Sequence, residues 1–255
     1  MILRRMAEAI REQNWFTVII EILIVVIGIF LGLQVTEWND GLKEKARAKQ
    51  YQNRLIVELG DDQAELQLRV NYMTRVLENG ELLLDNLEID QSGSLDAQWI
   101  TVRSAFQASQ IWPFEIASIA YGEIQTNGSI HLIGDVSLIN DLANYYGRGN
   151  TQIQQVAGTL PPYRTVLRGL LPWDLQSDMW SRCLRSDDYG SQELLECERP
   201  AQTNQIPLAI EAIKQSKELP FLLRQWMSDV RVRLILYQNT LNGAQLLIEA
   251  LKDSQ

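Results

Sequence analysis

The longest apolar run in the chain lies near its N-terminus, from Trp15 to Val35, and its 21 residues include one ionisable side chain, Glu21. A helix of this length spans roughly 31 Å, which matches the roughly 30 Å hydrocarbon core of a bilayer. We therefore predict a transmembrane helix over residues 15–36, with Trp15 and Trp38 as aromatic anchors at the two interfaces. A cleaved signal peptide is the alternative, but its apolar region is typically shorter and no small-x-small cleavage site lies directly after Val35.

Two long helical patterns follow, one at each end of the remaining chain. In the first, apolar residues recur at steps of three and four, interrupted by Gln63 and Gly80: Ile56, Leu59, Leu66, Val70, Met73, Leu77, Leu84 and Leu87. The second keeps this spacing without a break: Met227, Val230, Leu234, Tyr237, Leu241, Ala244, Ile248 and Leu251. Each pattern places an apolar stripe along one helix face. We expect the two stripes to cover each other in an antiparallel arrangement, with a coiled-coil dimer as the competing solution. Gly60 and Gly80 are candidate bends.

Shorter segments fill the middle of the chain. Asp96 and Asp135 are candidate N-caps, whereas Asn127-Gly128 and Pro172 are candidate helix ends. Apolar residues at helical spacing are expected to face inward: Trp99, Val102, Phe106, Ile116, Ile119, Ala120, Ile124, Leu138, Ile139, Leu142 and Tyr146.

The predicted fold class is all-α, with a single N-terminal transmembrane helix followed by a helical bundle whose first and last helices are long. The predicted organisation is a short cytoplasmic tail (1–14), the transmembrane helix (15–36) and an extracytoplasmic helical domain (37–255). Within that domain we expect a long helix (37–90), shorter helices (96–171), an irregular disulfide loop (172–206) and C-terminal helices (207–252).

One face of the membrane helix combines a carboxyl group with small residues. Val25, Gly28 and Gly32 fall within about 40° of Glu21 around a helix. A small-xxx-small pair lets two backbones approach closely, so this face is a candidate helix–helix contact, with a copy of the chain or with another membrane protein. The alternative is that the glycines have no such role and Glu21 extends to the headgroups.

The anchor resembles that of a family of uncharacterised single-pass bacterial membrane proteins, which typically reads "GE-I-L-VV-IGI-LALQ-NNWNE". The matching residues are Glu21, Ile22, Val25, Val26, Ile27, Gly28, Ile29, Leu31, Leu33, Gln34, Trp38 and Asn39. The departures are Ile20, Gly32, Thr36-Glu37 and Asp40. A second family pattern is matched in the middle of the chain by Tyr121, Gln125, Gly128, Leu132, Ile133, Asp135, Leu138, Leu142, Tyr145 and Tyr146. The resemblance implies a membrane-tethered helical domain and implies no activity.

The two cysteines bear on the compartment. Cys183 and Cys197 lie 14 residues apart in a loop-like stretch, and we predict that they form a disulfide, which indicates an oxidising compartment. The alternative is a pair of free thiols in a cytoplasmic domain. Basic residues flank both ends of the apolar run almost equally, so they do not decide the orientation. We predict a bacterial inner-membrane protein with a cytoplasmic N-terminus and a periplasmic domain.

Composition narrows the functional classes further. The net charge of −9 argues against a nucleic-acid partner. The single histidine, His131, is expected to have a surface or capping role. No catalytic, cofactor-binding or metal-binding motif is evident, so no catalytic, cofactor or metal residues are assigned and we expect a protein that is not an enzyme.

The leading hypothesis is an interaction or scaffold module at the outer face of the inner membrane, in contact with the lipid bilayer and with its own copy or another membrane protein. The alternative is a small-molecule sensor that signals through its anchor to a separate partner. Four tryptophans would line a pocket in such a sensor, or would belong to the core: Trp112, Trp173, Trp180 and Trp226.

Overall fold

A computed structural model describes residues 15–88, 93–157, 159–188, 190–201 and 203–255. The helices are α1 (Trp15–Glu88), α2 (Leu95–Ala108), α3 (Ile119–Thr126), α4 (Val136–Ala143), α5 (Asn150–Ala157), α6 (Pro162–Leu170), α7 (Trp173–Arg182), α8 (Gln205–Gln215) and α9 (Leu219–Asp253). A 3₁₀ turn (Ile130–Leu132) precedes α4, a π-helical turn (Asn144–Gly149) follows it, and β1 (Leu184–Ser186) pairs with β2 (Gln192–Leu194). Over these described ranges the fold is all-α apart from one short hairpin, with long first and last helices, as predicted.

The chain divides into two compact units, Met1–Tyr51 and Gln52–Gln255. In the first unit, every side chain from Ile19 to Val35 is exposed. This stretch belongs to the one helix, among the described residues, that is long and apolar enough to cross a membrane by length and composition. The sequence predicted a helix boundary near residue 36, whereas α1 continues to Glu88. No proline interrupts the intervening residues, so nothing there requires the helix to end.

In the second unit, α1 and α9 pack in the antiparallel arrangement that their stripes predict. Gln52 Nε2 donates to Ser254 Oγ over 3.0 Å, and Gln63 Nε2 donates to Gln245 Oε1 over 2.9 Å. The residue number on α9 therefore falls as the number on α1 rises. The two helices therefore pair within one chain, as expected.

The buried face of α1 is rotated from the predicted one. Its residues still step by three and four: Gln52, Leu55, Leu59, Asp62, Leu66, Arg69, Met73, Val76, Gly80 and Leu83. Four residues of the predicted stripe are only half-buried: Ile56, Val70, Leu84 and Leu87. Two positions on the buried face carry charged residues, Asp62 and Arg69. A pattern of apolar residues omits such positions, and it therefore indicated the neighbouring stripe as the buried one. The same error occurs on α9, where Arg233 is buried and Leu234 is half-buried.

The ends of α2 are held by side chains. Its N-cap is Ser94, whose hydroxyl accepts from the Ala97 N–H, so the prediction of Asp96 as the cap is wrong; Asp96 lies in the first turn and pairs with Arg199. The carbonyl oxygens at its other end accept from Tyr163 OH (Ala105, 3.0 Å), Trp226 Nε1 (Ala108, 2.7 Å) and Arg164 Nη1 (Ser109, 2.7 Å). A buried helix end needs such partners, since its last carbonyl groups have none within the helix.

The short helices mostly begin and end where the sequence predicts. Asp135 caps α4 by accepting from the Leu138 N–H over 2.9 Å. Asn127 caps the end of α3, and Gly128 follows with a φ of 66°, a conformation that glycine adopts without steric cost. Ile119 was expected to face inward, but it is 80% exposed because it begins α3 on the outer side.

The stretch predicted to be irregular contains regular structure. Residues 173–182 form α7, and the β1–β2 hairpin follows. The helical period was hidden because the inward face of α7 includes Gln176, while Trp173 is 74% exposed. The Gln176 amide is buried because it donates to the carbonyl oxygens of Arg168 and Leu171, both over 2.8 Å, at the end of α6.

Candidate functional site

Two carboxylates of α1, one turn apart, hold the N-terminus of α3. Glu58 Oε2 accepts from the Ala120 N–H over 2.6 Å, and Asp62 Oδ1 accepts from the Ala117 N–H over 3.0 Å. The N-cap of α3, Ser118, makes no side-chain cap bond of its own. Negative charge is favourable at a helix N-terminus, where backbone N–H groups lack intrahelical acceptors. The two carboxylates therefore replace a local cap and fix α3 against α1.

Asp62 is the more buried of the two, with 3% of its surface exposed. Burial raises its pKa from 3.8 to about 6, and the like charge of Glu58 adds to this. Hydrogen bonds from the Ala117 N–H and from the Tyr145 hydroxyl, 3.0 Å from Oδ2, act in the opposite direction because they favour the charged carboxylate. The site thus contains a buried acid whose protonation changes in mildly acidic conditions.

Three tyrosines surround these carboxylates. The rings of Tyr121 and Tyr146 stack with centroids 4.4 Å apart, and Tyr145 meets Tyr146 edge to face at 5.1 Å. The π-helical turn allows the consecutive residues 145 and 146 to be buried together. Burial raises the pKa of both side chains, reinforced by Asp62 at Tyr145 and by Glu58 at Tyr146. π-helical turns inside α-helices are frequent at functional sites.

A cleft of about 460 Å³ lies between α9 and the layer of α4, the π-helical turn and α5. A second cleft, of about 450 Å³, shares Asp141 and Ala250 with the first. We call the two together the α9 groove. Its α9 side consists of Leu236, Asn239, Thr240, Gly243, Leu246, Leu247, Ala250, Asp253 and Ser254. The opposite side consists of Asp135, Ser137, Leu138, Asp141, Asn144, Tyr145, Arg148, Gly149 and Gln152.

Charge is unevenly distributed along the α9 groove. Asp135, Asp141 and Asp253 line the cleft at one end, and Arg148 lines the other cleft. Within the described part of the chain, none of these four side chains forms an ion pair. Asp135 caps α4, so Asp141 and Asp253 are the uncompensated negative charges at one end of the groove, and Arg148 is a positive charge nearer the other.

One side chain connects the groove to the buried carboxylates. The Tyr145 ring lines the groove, and a methyl group added at Gly243 would lie 3.8 Å from its Cδ2 atom. The hydroxyl of the same tyrosine donates to Asp62. Any displacement of the Tyr145 ring would consequently alter the hydrogen bonding of a buried acid.

A third cleft, of about 620 Å³, lies between α1 and the β1–β2 hairpin. Its two arginines are already paired: Arg75 with Glu78 and Glu196, and Arg185 with Glu193. This cleft presents fewer uncompensated charges to a ligand than the α9 groove does.

The predicted membrane-helix residues lie on α1 as expected from their spacing. All four residues of the predicted contact face are exposed within the first unit: Glu21, Val25, Gly28 and Gly32. A methyl group added at Gly28 or Gly32 would meet nothing within 4 Å. Of the two predicted interface anchors, Trp15 begins α1 and Trp38 is 69% exposed.

The two cysteines and the single histidine lie in different parts of the structure. Cys183 and Cys197 lie at disulfide-bonding distance, with Cα atoms 5.0 Å apart at the base of the hairpin. His131 is exposed, with Nδ1 3.0 Å from the Gly128 carbonyl oxygen, so the expected surface role is confirmed. No group of three His, Cys, Asp or Glu side chains in the described ranges could hold a metal ion.

The four candidate tryptophans are not brought together. The face of Trp112 lies 3.8 Å from the guanidinium of Arg69, and Trp226 is buried beside the end of α2. Trp180 packs against Phe106, whereas Trp173 is exposed. None of the three clefts described above is lined by a tryptophan.

Sequence analysis did not identify Glu58 and Asp62 as site residues. The available signal was indirect: Tyr121, Tyr145 and Tyr146 all belong to the family pattern quoted above, and each contacts or lies beside this carboxylate pair. Nothing in the sequence indicated the π-helical turn.

Comparison with protein-family models, curated proteins and solved structures finds no match to this chain.

Proposed function

We propose that this protein is a membrane-anchored interaction module whose α9 groove receives a partner. The anchor is the N-terminal part of α1, residues 15–36, held in a bacterial inner membrane, with the N-terminus cytoplasmic and the helical domain periplasmic. The family resemblance of the anchor and of the Tyr121–Tyr146 segment supports this placement, as does the proximity of Cys183 and Cys197. The protein acts without catalysis in this proposal.

The observation that carries the proposal is the combination of an open groove with unpaired charges. The apolar groove residue Leu246 is 66% exposed, and Asp141 and Arg148 line the same cleft without ion-pair partners in the described chain. Exposed apolar area with a polar, charged rim is the usual composition of a protein–protein contact. A contact along the membrane-helix face of Glu21, Gly28 and Gly32 would add a second point of attachment.

Site-specific photo-crosslinking in cells tests the proposal. A benzophenone amino acid placed at Gln152 or Asn239, which are exposed groove residues, should give discrete adducts. The same amino acid at Val57, an exposed apolar position outside the groove, is the matched control. Adducts at Val57 as abundant as those at the groove positions would contradict the proposal.

The alternative function, a small-molecule sensor, is favoured by one specific observation. The cleft of about 460 Å³ is within the usual range for small ligands and is lined by both apolar and amide side chains. The full chain, released from nanodiscs into a native mass spectrometer, should then retain a small molecule that Gly243→Leu displaces. Identical masses for the wild type and the variant, apart from the substitution, would exclude this alternative.

A further inference from the structure

The floor of the α9 groove has the spacing of a helix-docking surface. Along α9, the groove residues Leu236, Thr240, Gly243, Leu247, Ala250 and Ser254 alternate steps of four and three. This repeat keeps one stripe facing the groove over the 18 residue steps from Leu236 to Ser254, or roughly 27 Å at 1.5 Å per residue. A partner helix of about five turns would fill that length.

Two small residues of the α9 groove leave room for a partner helix to approach the α9 backbone. Gly243 and Ala250 both line the groove, with Leu246 and Leu247 between them. Large residues on a partner helix can pack over small ones here, which is how ridges of one helix enter the grooves of another.

The unpaired charges of the α9 groove define the direction in which a partner helix would lie. Tyr145 lies beside Gly243, and the acidic end of the groove lies beside Asp253, ten residues or roughly 15 Å further along α9. Arg148 follows Tyr145 by three residues, away from that acidic end. A complementary helix would therefore place basic residues beside Asp253 and acidic residues beside Arg148.

Helices most readily carry acidic residues in the first turn and basic residues in the last, since this complements the helix dipole. We propose, resting on the function proposed above, that the α9 groove binds an amphipathic helix of a partner protein. This helix lies parallel to α9, with its acidic N-terminal turn at Arg148 and its basic C-terminal turn at Asp141 and Asp253. The apolar stripe of the partner lies on the groove floor.

Three labelled 18-residue peptides test the charge order and the stripe. The first has two glutamates in its first turn, leucines at steps of three and four, and two lysines in its last turn. The second exchanges the glutamates and lysines, and the third replaces the leucines with glutamines. Fluorescence anisotropy against the full chain in nanodiscs should show the first peptide binding about tenfold more tightly than the second, and the third not binding.

Variants of the protein separate docking from differences in peptide helicity. Asp141→Lys with Asp253→Lys should reverse the preference between the first two peptides. Glu211→Lys with Glu218→Lys, exposed acids outside the groove, makes the same change in net charge and should leave the preference intact. Gly243→Leu should weaken binding of the first peptide at least about tenfold while its circular dichroism spectrum matches the wild type.

Equal binding of the first two peptides, or an unchanged preference in the Asp141/Asp253 variant, would overturn the inference. Occupation of the groove by a second copy of the chain would also overturn the inference. In that case the full chain would dimerise, and the Asp141/Asp253 variant would be monomeric. If Gln152 and Asn239 still crosslink to a partner when the peptides fail, this inference alone is wrong. Failure of the crosslinks removes the proposed function itself.

Discussion

The buried acid Asp62 makes a quantitative prediction about stability and pH. Its folded pKa of about 6 lies above the ordinary value of 3.8, so the folded state binds more protons than the unfolded state between about pH 4 and 6. Stability contributed by the protonated form is therefore fully present below about pH 4 and is lost as the pH rises through about 6. Each pKa unit corresponds to about 1.4 kcal/mol, which gives a loss of up to about 3 kcal/mol.

Asp62→Asn removes the ionisation and keeps the geometry. The amide oxygen can still accept from the Ala117 N–H, and the amide nitrogen can donate to the Tyr145 oxygen. We expect this variant to match the wild type near pH 4 and to exceed it by about 1–3 kcal/mol at pH 7.5. Tyr145→Phe should steepen the pH dependence instead, because the hydroxyl lowers the Asp62 pKa.

Urea unfolding of the full chain in detergent micelles, followed by tryptophan fluorescence at intervals from pH 4 to 8, measures these differences. Asp61→Asn is the matched control, because it removes a neighbouring exposed carboxylate from the same turn of α1. An Asp62→Asn variant that is less stable than the wild type at pH 7.5 and keeps the wild-type slope would contradict this prediction. That result would mean that the ionised carboxylate stabilises the fold.

Three further outcomes are expected. Leu66→Ala should lower the free energy of unfolding by about 2–5 kcal/mol, because Leu66 is fully buried, whereas Leu68→Ala, at an exposed position on the same helix, should change it by under about 0.5 kcal/mol. Cys183 and Cys197 should resist thiol labelling in the denatured protein until reductant is added, and their reduction should cost roughly 3 kcal/mol; equal labelling with and without reductant would show that they are not bonded. Protease added to spheroplasts should digest the domain after residue 37, and protection of the domain would refute the periplasmic placement.

The sequence predicted those features that local chemistry determines. The Asp135 cap, the Asn127-Gly128 helix end and the apolar run of α1 each depend on neighbouring residues or on composition, and the structure agrees with them. The antiparallel pairing of α1 and α9 also followed, because two long stripes can cover each other in few ways.

The features that the sequence failed to predict depend on contacts between distant residues. Asp62 and Arg69 look like solvent-exposed charges in the sequence, but the first accepts from Ala117 and the second stacks on Trp112, so both occupy the buried face of α1. Gln176 is buried for the same reason. A pattern of apolar positions cannot assign a charged or amide side chain to a core when its compensating partner lies tens of residues away. The candidate site was missed because it consists of such residues.

The difference between local and long-range effects can be tested by replacing glycine with alanine at the two candidate bends in the first long pattern, Gly60 and Gly80. α1 continues through both glycines. Each glycine therefore destabilises the helix by about 1 kcal/mol relative to alanine. A methyl group added at Gly60 would meet nothing within 4 Å, and Gly60→Ala should therefore stabilise the protein by nearly that amount. A methyl group added at Gly80 would lie 3.0 Å from Met227 Cγ, which is closer than ordinary van der Waals contact. Gly80→Ala should consequently gain less or lose stability, and Met227→Ala should remove that penalty in the double variant. Equal stabilisation by the two single substitutions, measured by urea unfolding, would show that α1 and α9 do not approach each other at Gly80.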